Sequence, residues 1–137
     1  MNMIFPIDEN LSLLYNIHMK KLLNIEERVT KFLQEFDFSM KFHGTRYLKD
    51  MIIYALEINE IMTNVQMYNY VADHHNTDPD NIDRCLRTLV DKKWRDLARE
   101  GLFEKRPTNR EFVTTIIEYI KFPLDRKSVY DVLTRRI

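Results

Sequence analysis

Two glycines, Gly44 and Gly101, and four prolines are the only strong chain breakers in 137 positions. A sandwich or barrel turns back every roughly eight to twelve residues and places glycine and proline at those turns; helices need breakers only at their ends. This scarcity points to an all-α fold. With 45% hydrophobic and 31% charged residues the composition is globular, and the length is that of one domain.

The apolar residues recur at the matching period. Residues 9–23 place Leu11, Leu14, Tyr15, Ile17 and Leu22 at roughly helical spacing, and residues 25–36 do so with Ile25, Val29, Phe32, Leu33 and Phe36. Residues 37–44, ending in Gly44, read as a break. A long buried helix is expected from Thr45 to about Met62, with Tyr47, Leu48, Met51, Ile52, Ala55, Ile58 and Met62 on one face. A shorter helix over 65–75 turns Val65, Tyr68, Val71 and Ala72 inward. A further helix follows from residue 79, and a last pair spans 108–121 and 125–137, for six to seven helices in all.

Start signals support these assignments. Asp78 precedes Pro79, an N-cap acid before a proline at the first helical position, where the missing N–H is not needed. Thr108 to Glu111 has the spacing of a capping box, and Asp125 after Pro123 is placed to cap the final helix.

Several function classes find no support. No glycine-rich phosphate loop, nucleophile elbow or paired-cysteine metal spacing is present, so no catalytic residue, metal or cofactor is expected. His74 and His75 are adjacent and so point about 100° apart on a helix; they read as a polar helix end favoured by the dipole. The single cysteine, Cys85, excludes an internal disulfide and fits a reducing cytoplasm, and its spacing from Ile82 and Leu89 puts it with the core, as does that of Trp94. No apolar run approaches a membrane span, and the opening residues are broken by Pro6, Asp8 and Glu9, so the chain reads as soluble and unprocessed. Net charge is zero but unevenly spread: 7 basic against 12 acidic side chains up to residue 80, and 14 against 9 after it.

The stretch 65–95 has the outline of a helix–turn–helix: a short helix, the turn "NTDP", and a long helix with a sharp start. Ile82, Cys85, Leu86, Leu89, Val90, Lys93 and Trp94 form its packed side. Asn81, Arg84, Arg87, Thr88, Asp91 and Arg95 fall opposite, where a recognition helix presents side chains to the major groove. Arg bonds bidentately to guanine, Asn to adenine, and Thr donates, accepts or touches a thymine methyl. The turn lacks the glycine common at such places.

Three stretches in order, "HGTRYLKDMI" (43–52), "VADHHNTDPDNIDRCLRTLVDKKW" (71–94) and "RPTNREF" (106–112), resemble the C-terminal DNA-binding domain of the stage-zero sporulation response regulator family. The resemblance covers about residues 25–122, which leaves residues 1–24 as an extra N-terminal helix and 123–137 as an extra C-terminal helix. It implies a helical effector domain whose recognition helix reads a short box in double-stranded DNA, with pairs of domains on tandem boxes. Carried over, Arg84 and Arg87 match basic residues used on DNA, and Asp83 stands where the family has an acid. Asn81 and Thr88 match contact positions but depart from the family's basic residues, which implies an altered box. Residues 95–105 correspond to a region tied in the family to RNA polymerase, and they are shorter here.

These readings converge on a stand-alone transcriptional regulator without a receiver domain of its own. Lys92, Arg95, Lys105 and Arg106 are expected on phosphates beside the contacts of Arg84, Arg87, Asn81 and Thr88. The neutral net charge leaves a second reading open, a protein-interaction module that kept the fold and lost the DNA. The first helix has two readings as well: a dimerisation element built on Leu11, Leu14, Tyr15 and Leu22, or a cover for the core.

Overall fold

The computed structural model describes residues 5–60 and 63–121, and these form five α-helices with no strand. In chain order they are α1 (Phe5–Glu35), α2 (His43–Ile58), α3 (Asn64–His74), α4 (Pro79–Arg99) and α5 (Asn109–Lys121). The all-α expectation holds. The two helices expected over 9–23 and 25–36 are one, because nothing between residues 23 and 25 breaks a helix. Met62 and the helix expected over 125–137 lie outside the described residues.

α2 is central, packing on α1, α3, α4 and α5. Leu48, Met51 and Ile52 of α2, Val71 of α3, Ile82, Leu86, Val90 and Leu97 of α4, and Phe112 and Ile116 of α5 are fully buried together. Burying one such side chain contributes about 1.5–3 kcal/mol, so this shared interior sets the helix directions. α1 enters the described core at Val29, and Phe32, Phe36 and Phe38 close it against Tyr119 and Phe112. Arg28 of α1 also donates to the last described carbonyls of α5, those of Ile120 and Lys121. Among the described side chains of the first half of α1, Leu14, Tyr15 and Ile17 are exposed rather than packed.

The connections are tight, and residues other than glycine make most of them. Asn76, between α3 and α4, takes φ +51°, the left-handed conformation that the absent turn glycine would supply, and Thr77 N–H closes the turn onto the Ala72 carbonyl at 3.0 Å. Gly101 does the same after α4 with φ +87°. Gly44 is not the break the spacing suggests: it lies inside α2, and a Cβ there would stand 2.7 Å from the Cys85 carbonyl oxygen. Glycine is therefore what lets α2 cross α4 at contact distance.

At the starts, Asp78 caps α4 by accepting from Asn81 N–H at 2.8 Å. Thr108 accepts from Glu111 N–H at 3.1 Å, but Glu111 takes the Thr108 hydroxyl instead of completing the box through the backbone. A full capping box stands at Thr63 and Gln66 before α3. Val65 of α3 is exposed and Met67 is buried in its place, since Met67, Tyr68, Val71 and Ala72 lie on one stripe and Val65 falls on the other side.

Candidate nucleic-acid interface

α3, the four-residue turn 75–78 and α4 keep the element order of a helix–turn–helix. The turn is braced against the core. His75 ends α3, and its Nε2 meets the carboxylate of Asp50 on α2 while its ring lies edge-on to Tyr47. His74 Nδ1 instead contacts the Tyr70 carbonyl, so the histidine pair diverges and serves the helix end. Among the described residues no three potential metal ligands gather.

The inner side of α4 is buried at Ile82, Leu86, Leu89, Val90 and Leu97. Cys85 and Trp94, expected in the core, are only partly buried and sit at its edge. The outer side carries Arg84, Arg87, Thr88, Asp91, Lys92 and Arg95, all exposed. None of these cations is loose. Arg84 Nη2 donates to Asn81 Oδ1 at 2.8 Å, and Arg87 Nη2 donates to Asp83 Oδ2 at 2.5 Å. Lys92 Nζ lies 3.8 Å from the centre of the Phe42 ring, and the Arg95 guanidinium lies over Trp94 at 5.3 Å. Arg106, reaching in from the loop after α4, donates to Asp91 Oδ1 at 2.7 Å. Lys105 is exposed beside it.

Asn81 and Asp83 differ from the rest. The Asn81 amide turns towards the domain, donating to Thr77 Oγ1 at 3.0 Å and to the Tyr47 hydroxyl at 3.5 Å, so only its carbonyl oxygen serves Arg84. Asp83 is also half-turned inward, with the Tyr68 hydroxyl and the Asn109 amide on its Oδ1. Thr88 donates its hydroxyl to the Arg84 carbonyl at 3.1 Å, which leaves its methyl and its acceptor capacity to the outside.

Between the first turn of α2 and this outer face lies a groove of about 270 Å³, lined by Phe42, His43, Gly44, Arg84, Cys85, Thr88, Leu89 and Lys92. The residues from α2 escape a periodicity reading of α4. Their only trace in sequence is Gly44, which stands where two backbones approach.

Residues 29–120, about two thirds of the chain, match the sporulation initiation factor Spo0A C-terminal family. The chain belongs to that family. It is a family of DNA-binding transcription-factor domains, not of enzymes. Neither a curated protein nor a solved structure matches the chain. The match begins at Val29, where α1 enters the described core, and takes in α2, α3, α4 and nearly all of α5. No helix among the described residues is long and apolar enough to cross a membrane.

Proposed function

We propose that these 137 residues bind double-stranded DNA sequence-specifically through the outer face of α4, acting as a transcription regulator on the chromosome in the cytoplasm. One observation carries this reading: Arg84 and Arg87 stand exposed one turn apart near the start of α4, each held by the polar side chain a turn before it. In a helix–turn–helix, that is the part of the recognition helix that contacts base edges in the major groove. Arg87 and Arg84 make the main base or phosphate contacts. Thr88 and Asn81 modulate the choice of box, Thr88 through its methyl and Asn81 through its hold on Arg84. Lys92, Arg95, Lys105 and Arg106 bind phosphates.

Selection of binding sites from random duplex DNA tests the reading. An enriched motif is expected, with affinity falling steeply with salt, by about 0.9 in the log–log slope for each neutralised phosphate. Arg87→Ala should weaken binding to that motif by about 1–3 kcal/mol. Wild-type binding by this variant would remove Arg87 from the interface.

One observation favours a protein partner in place of DNA: Arg87 and Arg106 already face carboxylates on their own surface. No enriched motif, together with a stable protein complex recovered from cells, would establish that second reading. Pairing on tandem boxes is assigned to α1, whose Leu13, Leu14, Tyr15 and Ile17 are 50–64% exposed beyond the core. Removing residues 1–24 should then turn a dimer into a monomer, and an unchanged oligomeric state would rule α1 out.

A further inference from the structure

A guanidinium on a long flexible stem loses rotamer freedom when it docks, and that loss opposes binding unless the side chain is held beforehand. An exposed carboxylate four residues away restrains it only weakly. Asp83 is a different kind of partner for Arg87, because its carboxylate is gripped from behind. Oδ1 accepts from the Tyr68 hydroxyl of α3 at 3.1 Å and from Asn109 Nδ2 of α5 at 3.0 Å. The same Asn109 amide donates to the Asp83 carbonyl at 3.1 Å and lies 3.3 Å from the Tyr68 hydroxyl. Three helices meet at one carboxylate, and turning it would break both bonds to Oδ1 together. Oδ2 is left for Arg87.

The donors suit the task. Tyr68 is 8% exposed, and burial, with Asp83 adding to it against the opposing Asn109 amide, pushes its phenol up to about 12, so it keeps its proton at neutral pH. Asn109 is not needed for the cap of α5, which Thr108 provides. Arg87 presents five N–H donors, and the bond to Asp83 leaves enough of them for a two-pronged contact with guanine.

We propose that Tyr68 and Asn109 are positioning residues for DNA reading: they lock Asp83 so that it holds Arg87 ready for a base edge. This rests on Arg87 being a base contact, as proposed above. The test is a double-mutant cycle in DNA affinity, using a duplex selected with the wild-type chain and a scrambled duplex of equal length, with thermal melts confirming that each variant is folded. Asn109→Ala and Tyr68→Phe should each weaken the selected duplex on the order of two- to tenfold, the equivalent of one ordinary hydrogen bond. Neither should alter binding to the scrambled duplex, and neither should weaken binding further once Arg87→Ala is present.

An equal loss on both duplexes, or the same loss in the Arg87→Ala background, would overturn the proposal and leave the two residues with a structural role. Should Asn109→Ala fail to fold, Tyr68→Phe, which keeps the ring, completes the cycle alone. If Arg87→Ala by itself binds the selected duplex like wild type, the underlying assignment of Arg87 fails instead, a result separable from the other two.

Discussion

Two of the aspartates on α4 that face arginines, Asp83 with Arg87 and Asp91 with Arg106, are not equivalent. Asp83 is 33% exposed at its side chain, and Tyr68 and Asn109 from two other helices hold it. Asp91 is 59% exposed, and among its described contacts only Arg106 bonds to it. The chemistry of the two pairs is the same; the difference lies in what stands behind the carboxylate. An exposed pair is screened by solvent and salt and stabilises by about 0–1 kcal/mol, while a half-buried acceptor serving several donors cannot be removed without leaving those donors unsatisfied. The first pair is therefore built to hold a geometry, and the second is a solvent-screened surface contact.

That contrast breaks most visibly at Asp83. Asp83→Ala leaves the Tyr68 hydroxyl and the Asn109 amide without their acceptor and should lower unfolding stability by about 1–3 kcal/mol in urea denaturation. A change under about 0.5 kcal/mol would make the two pairs equivalent after all.

The bracket should also respond to alkali. Because the folded-state value of Tyr68 is raised from 10.0 to about 12, its contribution is fully present below pH 10 and is lost as pH rises through 12. Denaturation followed between pH 9 and 12 should show that loss in wild type. The alkaline limb should be smaller in Tyr68→Phe, which keeps only the part owed to groups such as Tyr70, whose phenol burial also pushes up. An identical alkaline limb in both proteins would mean that another group titrates.

At the second pair the effects are smaller. Arg106→Ala should reduce the salt slope of DNA binding by about 0.9 and weaken all duplex sequences alike, as expected of a phosphate contact. A loss confined to the selected box would instead make Arg106 a base reader. Asp91→Ala should shift unfolding stability by less than about 0.5 kcal/mol, read in the same urea titration, since the pair it removes is exposed on both sides. A larger drop would show that Asp91 anchors the loop after α4.

Much of this molecule is legible in the chain itself. Shortage of glycine, apolar residues at helical spacing, and the Asp78–Pro79 and Thr108 starts lead to the all-α fold and to nearly correct limits for α3 and α5 and the start of α4, because these signals depend on residues within a turn or two of one another. The capping box at Thr63 and Gln66 is equally local and could have been read the same way. The cationic face of α4 follows from one period applied to one helix, and the three quoted stretches lead to the Spo0A C-terminal family.

What periodicity misplaces are the residues whose partners lie on other helices. Asn81 falls on the outer side by spacing, yet its amide finds Tyr47, 34 residues away. Tyr68 reads as an apolar core position and Asn109 as filler within a cap, but their polar ends converge on Asp83, 15 and 26 positions from them. Gly44 looks like a breaker and is a contact point between α2 and α4. Local sequence determined that α4 is a helix, where it starts, and which side carries charge. Only the tertiary structure decided which of those charges are held still, because a hydrogen bond between helices depends on crossing geometry that no single helix encodes.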